Sequence, residues 1–183
     1  MNISLIAPIL LLLITSVFLV LYILIFVDQF MGHGLPTSKR ATDQIIVAVR
    51  QHKPNAKNFY DLGCARGRLA LNIKKHFPNL EVIAIDNSRL RLFFARMKAL
   101  FLRRKINFVK NNVLKQNLSG ADVVFAYLWY NWLPPLEEKL QKELKKGSVV
   151  ITNTSHFPSW VPTKTIVLNP DNPEFEKLFV YIK

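Results

Sequence analysis

The stretch from Asn58 to Leu69 constrains this chain more than any other: Asn-Phe-Tyr-Asp61-Leu-Gly63-Cys-Ala-Arg-Gly67-Arg-Leu. A short apolar run ends on a carboxylate, turns through Gly63 and Gly67, and opens into a helical pattern. Further on, Val82-Ile-Ala-Ile-Asp86 is again an apolar run that ends on an acid. A strand, a glycine turn, a helix and a second acid-ended strand form the plan of a site for a nucleotide-type ligand at the carboxyl ends of parallel strands. Gly63 and Gly67 let the backbone approach a ligand closely. Asp86 can accept both hydroxyls of a ribose, and an amide at Asn112 can meet an adenine edge. The plainer reading, in which Asp61 and Asp86 only cap the turn and the next helix, leaves their common order unexplained.

The rest of the chain supports a sheet with helices on both faces. Thr37 or Ser38 caps a helix over Lys39–His52 whose apolar face carries Ile45, Ile46 and Val49. Strands are expected at Asn58–Asp61, Glu81–Asp86, Ile106–Val109, Ala121–Tyr127, Ser148–Asn153, Lys164–Leu168 and Lys177–Ile182. Between them the pattern predicts helices from Arg68 to about Phe77, from Arg89 to about Arg104 behind a Ser88 or Asn87 cap, and over Leu136–Lys146, closed by Gly147. In the second of these, Leu90, Phe93, Phe94, Met97, Leu100 and Phe101 recur at helical spacing and are expected to pack on the sheet. Its basic residues then face solvent or lipid headgroups. No helical stretch separates the last two strands, so they should be antiparallel. The fold class is α/β: a three-layer sandwich around a seven-stranded, mostly parallel sheet with one antiparallel strand.

Ahead of this domain, Leu5–Val27 carries no charge and is built mainly of Leu, Ile, Val and Phe. Such a run, at 1.5 Å per residue, spans roughly 34 Å as a helix, enough for a bilayer core. It lacks the basic start and small-residue cleavage site of a secretory signal, so an anchor is expected. Basic residues begin only after it, with Lys39, Arg40 and Arg50, which places the domain in the cytoplasm by the positive-inside rule. The expected layout is an anchor over 1–28, a linker over 29–38 and a domain over 39–183. His33 is an isolated linker histidine with no second ligand at metal spacing, and no metal site is expected. The single cysteine excludes an internal disulfide. The formal charge of +13, from 25 Lys and Arg against 12 Asp and Glu, suits an anionic lipid surface, with nucleic acid or a generally basic solvated face as the alternatives.

With its acid, glycines and closing antiparallel strand, the turn resembles the first motif of the class I S-adenosylmethionine-dependent methyltransferases. Leu35-Pro-Thr-Ser38, Asp61-Leu-Gly-Cys-Ala-Arg-Gly-Arg68, Leu133-Pro-Pro-Leu-Glu-Glu-Lys-Leu140 and His156-Phe-Pro-Ser-Trp160-Val-Pro162 further resemble one subfamily. These are the membrane-anchored protein-lysine methyltransferases of mitochondrial adenine nucleotide translocase and ATP synthase c-subunit, with their prokaryotic relatives. The resemblance implies a Rossmann-like methyltransferase using S-adenosyl-L-methionine on a lysine of a membrane protein. It implies cofactor contacts at Thr37, Ser38, Asp61, Gly63, Ala65, Gly67, Asp86, Asn87 and Asn112. Ala65 replaces the motif's middle glycine, Arg66 an acid, and Asn112 an Asp. After the fourth strand, Tyr127, Trp129, Tyr130, Asn131 and Trp132 form an aromatic cluster at the expected substrate mouth. Its rings could line a lysine channel or simply pack. Tyr127, Tyr130, Asn131 and His156 are the candidate catalytic residues, in positioning roles. Methylation of a small molecule, lipid or RNA, or a non-catalytic binding module at the membrane surface, are the alternatives.

Overall fold

The computed structural model describes residues 3–31 and 35–183, so His33 and its flanking glycines lie outside the described residues. The chain divides into two units, with the boundary between Leu35 and Pro36. The first is a single helix, α1 (Ile3–Met31). Its stretch Ile6–Phe26 has a mean hydropathy of 3.1 and no buried residue, so by length and composition it can cross a membrane. Thr15 Oγ1 donates to the Leu11 carbonyl and Ser16 Oγ to the Leu13 carbonyl. That satisfies both hydroxyls inside the helix, as an apolar surrounding requires. The helix runs to Met31, beyond the end expected for the anchor at 28.

The second unit holds α2 (Lys39–His52), β1 (Asn58–Leu62), α3 (Arg68–His76), β2 (Glu81–Asp86), α4 (Arg89–Phe101), β3 (Asn107–Lys110), β4 (Val123–Ala126), a 3₁₀ turn (Tyr130–Trp132), α5 (Leu133–Glu143), β5 (Val149–Asn153), β6 (Lys164–Val167) and β7 (Lys177–Ile182). The strands form one seven-stranded sheet in the order β3-β2-β1-β4-β5-β7-β6. β7 runs antiparallel to both of its neighbours, and the other pairings are parallel. Strand order reverses between β1 and β4, where their carboxyl ends leave a crevice. At the opposite edge, Asn58 and Asp122 lock β1 to β4: Asp122 Oδ2 accepts the Lys57 amide at 2.7 Å, and Asn58 Oδ1 accepts the Asp122 amide at 2.8 Å.

Strand residues alternate between two cores. On one face, Phe59, Val82 and Phe125 pack with Ile45 of α2, Ile73 of α3 and Leu92 of α4. On the other, Leu62, Ile85 and Val150 pack with Leu136 and Leu140 of α5 and with Phe157 and Tyr181. Each such side chain, when fully buried, contributes about 1.5–3 kcal/mol. The compact unit takes in Thr37, which is buried, and Ser38, whose Oγ accepts the Ala41 amide at 3.0 Å to cap α2.

Two helices differ from expectation. α5 begins at Leu133, because Pro134 and Pro135 sit in a first turn whose amides have no intrahelical partner to lose. It ends at Glu143, well before Gly147. That glycine, at φ +82°, instead turns the chain into β5 while its amide donates to the Lys183 carbonyl at 2.7 Å.

On α4 the difference is larger. α4 buries Leu92, Ala95 and Ala99, and none of the apolar set expected to face the sheet is buried. The alanines let the helix sit close to the sheet and to the glycine turn. Two apolar stripes are interleaved on α4, and close packing takes the one with the smaller side chains.

Candidate active site

The loop after β1 is wound by its backbone. The amides of Gly63 and Cys64 both donate to the Ile85 carbonyl at 2.8 Å, tying the end of β1 to β2. Gly63, Ala65 and Gly67 then take φ of +79°, +47° and +70°. A side chain at Gly67 would bring its Cβ within 3.0 Å of the Phe108 ring and 3.1 Å of Ala95 Cβ. At Gly63 it would stand 2.7 Å from Leu128 Cδ2, just after β4. Leu128 could swing aside, but the left-handed backbone at Gly63 would remain. Ala65 holds that conformation with a Cβ, which costs about 1–2 kcal/mol. We expect Ala65→Gly to stabilise the domain by up to about 1 kcal/mol, since relief of this strain exceeds the entropy that glycine adds to the unfolded chain. A urea titration would show it as a raised midpoint at unchanged slope, and a lowered midpoint would contradict it.

Two carboxylates frame the loop. Asp61 lies two residues from Phe59 on β1 and Asp86 two from Ala84 on β2, so both share their face, on the α3–α4 side of the sheet. Asp86 is buried and each of its oxygens accepts one backbone amide: Oδ2 that of Ala65 at 2.9 Å and Oδ1 that of Ser88 at 2.8 Å. It pins the glycine loop to the head of α4, where Ser88 Oγ supplies the cap. Each oxygen keeps a second lone pair. Asp61 is 2% exposed and its Oδ2 has no hydrogen-bond partner. Burial pushes its carboxyl up to about 7; the Ala70 amide pulls it down and the Asp86 charge adds to the rise. Burial, followed by these two acids, also pushes the Cys64 thiol up, so Cys64 is no thiolate nucleophile. The Arg66 guanidinium stands over the Phe94 ring, 5.9 Å from its centroid.

The remaining candidates lie on other elements. Asn87 is exposed between Asp86 and the α4 cap. Asn112 is half-buried, and its Oδ1 accepts the Leu114 amide at 2.9 Å, so the Nδ2 donors are the part of the amide left for a ligand. Thr37 and Ser38 stand at the head of α2, on the α3–α4 side of the sheet.

The aromatic cluster divides. Tyr127 packs against the core on the α3 side and Trp132 against the core on the α5 side. Trp129, Tyr130 and Asn131 are exposed between β4 and α5. His156 lies beyond β5, with its ring edge-on to Phe179 of β7 and Nδ1 donating to the Phe157 carbonyl at 2.8 Å. β7 is three strands from β1, roughly 14 Å at the usual strand spacing, so the strand that His156 packs on is not one of the two whose ends form the crevice.

Three residues here escape sequence reasoning. Leu128 covers Gly63. Glu137, buried on α5, accepts the Ser159 amide at 3.2 Å and so holds the His156–Trp160 loop. Thr154 closes β5 at φ +66°, a strained conformation for a β-branched residue of the kind that clusters at working sites. Only Glu137 left a signal, as an acid on the inward face of an amphipathic helix. Among the described residues no group of three His, Cys, Asp or Glu side chains could hold a metal.

Known proteins with this arrangement agree on its kind. A family model for the ANTKMT methyltransferase domain matches residues 61–164, more than half of the chain, from the first acid to the start of β6. A protein-lysine N-methyltransferase of Saccharolobus islandicus (strain REY15A) is 30% identical over 115 residues, covering 62% of this chain and 71% of that protein. A carboxy-S-adenosyl-L-methionine synthase of Nautilia profundicola is 27% identical over 118 residues, covering 64% of this chain and 50% of that protein. The chain thus spans about half the length of that relative. In fold, the domain is similar to an RNA methyltransferase from Salinibacter ruber in complex with S-adenosyl-L-homocysteine, with a TM-score of 0.70 at 20% identity over 81% of this chain and 93% of that one. With its acid-flanked glycine loop at the sheet's reversal point, the chain belongs to the ANTKMT methyltransferase domain family and is a class I S-adenosylmethionine-dependent methyltransferase.

Proposed function

We propose that this protein is a membrane-anchored methyltransferase that N-methylates a lysine of a membrane protein, with α1 as the anchor and the domain on the cytoplasmic side. The observation that carries the reading is the 30% identity to the lysine N-methyltransferase over 115 residues, in a chain that also has an apolar helix of membrane-spanning length. The residues fit the cofactor. The orphaned Asp61 Oδ2 is a buried acceptor in need of a cationic donor. The spare lone pairs of Asp86 suit ribose hydroxyls, Asn112 Nδ2 suits a ring-nitrogen acceptor of adenine, and Gly63, Ala65 and Gly67 keep the backbone close. Thr37, Ser38 and Asn87 complete the rim.

Bound S-adenosylmethionine supplies an electrophilic methyl group, so the protein's task is positioning and desolvation. A lysine amine has a reference pKa of about 10.4, and a drier mouth lowers it. Tyr130, which is exposed, offers its ring for the stem and cation, with Trp129 next to it in the chain. Tyr127 and Asn131 flank them, and His156 lies farther off, beyond β5.

To test this, full-length protein is incubated with methyl-labelled S-adenosylmethionine and membrane extract. Label is expected in protein, recovered as methyl-lysine after hydrolysis, and the enzyme should stay in the membrane pellet after alkaline carbonate washing. Label in the lipid or RNA fraction instead would overturn the substrate class. Cofactor binding without any labelling would point to a non-catalytic module.

A further inference from the structure

The outer face of α4 is apolar where a helix against water would be polar. Phe93, Met97, Leu100 and Phe101 are 54%, 50%, 72% and 86% exposed, and Leu102 continues the strip. Around them the stretch from Arg89 to Lys105 carries Arg89, Arg91, Arg96, Lys98, Arg103, Arg104 and Lys105 and no acid. Beside Leu100 opens a cleft of about 610 Å³ whose cations are Lys74, Arg96, Arg104 and Lys105, with Glu81 as its acid. Large insertable side chains ringed by cations are the chemistry of a helix that lies in a bilayer interface.

We propose that α4 is a second membrane contact, separate from the anchor, which docks the domain flat on an anionic phospholipid surface. Phe93, Met97, Leu100 and Phe101 enter the headgroup–acyl boundary, and the surrounding cations meet lipid phosphates. Charge complementarity selects this occupant. A second copy of the chain would set two acid-free basic strips against each other across a two-fold axis, whereas an anionic leaflet attracts each basic side chain. The inference rests on α1 being an anchor, since a tethered domain meets the surface at high local concentration. Its functional consequence is geometric. α4 starts at the Ser88 cap that Asp86 holds, so a bilayer along α4 brings the cofactor end of the sheet to headgroup depth, where the lysines of membrane proteins emerge.

The test uses full-length protein reconstituted into nanodiscs, with a nitroxide at Met97→Cys or Phe101→Cys and a control label at Lys146→Cys. Native Cys64 is buried and resists labelling. In discs containing phosphatidylglycerol, labels at 97 and 101 should be reached by oxygen and shielded from a water-soluble nickel chelate, with the reverse at 146. Replacing Arg91, Lys98 and Arg103 with Gln should lower the docked-to-free ratio about fivefold for each charge removed. Water-exposed labels at 97 and 101 in anchored protein would overturn the docking and leave the anchor standing. Shielding from both reagents, or spin–spin broadening, would assign the face to a protein or a second copy and overturn it as well. Protein that fails to associate with the discs at all would overturn anchor and docking together.

Discussion

Asp86→Ala is expected to destabilise the domain by about 2–4 kcal/mol, because it strips the acceptors from two partly buried backbone amides at once. The amides belong to Ala65 and Ser88, so the loss falls on the glycine loop and the head of α4 together. A domain of ordinary stability survives this and stays folded. Cofactor affinity should fall further than the loop's disorder alone explains, since the same carboxylate is the proposed ribose acceptor. Asp86→Asn separates the two effects poorly, because its amide nitrogen would meet one of the backbone donors. Ser88→Ala provides the better comparison: it removes the α4 cap, at about 1 kcal/mol, and leaves the Asp86 carboxylate in place. Calorimetric titration with S-adenosylmethionine should show near-normal affinity for Ser88→Ala and none measurable for Asp86→Ala. Equal affinities in the two variants would remove Asp86 from the cofactor site and leave it as a structural pin.

The sheet and its central site could be read from sequence because the deciding signals are local. An apolar run such as Val123–Ala126 buries every residue, and acids ending β1 and β2 fall where parallel strands must open. Relations between elements were hidden. That Asp86 spends two bonds on the loop depends on where Ala65 and Ser88 meet in space. Leu128 covers Gly63 across a strand pairing that no local pattern encodes. On α4 periodicity misleads, because stripes of equal period compete and the sequence assigns the larger side chains to the core. The winning stripe, Leu92, Ala95 and Ala99, is set by how close the helix must come to Gly67 and Phe108. The larger apolar side chains are left outside and exposed, on the face proposed as the lipid contact.

Asp61 should make stability and cofactor binding respond to pH in opposite directions. Its carboxyl is raised from 3.8 to about 7 in the fold, mainly by burial. Between these values the unfolded chain has lost this proton and the native protein keeps it, so stability falls as pH rises. The stabilising effect is complete below about pH 4 and is lost by about pH 7, a span worth about 4 kcal/mol. Asp61→Asn mimics the protonated acid. It should match the wild type near pH 4 and exceed it at pH 8 by several kcal/mol, as measured by urea unfolding at each pH. Cofactor binding runs the other way. A cationic group brought to the orphaned Asp61 oxygen favours the carboxylate, so binding expels the proton. Below pH 7 the wild-type affinity should drop by about tenfold per pH unit, and titrations in buffers of different ionisation heat should register close to one proton released. In Asp61→Asn the proton release disappears and affinity is weak at every pH. Parallel stability–pH curves for wild type and variant would show that Asp61 is already ionised in the fold, and would remove the stored charge from the account of this site.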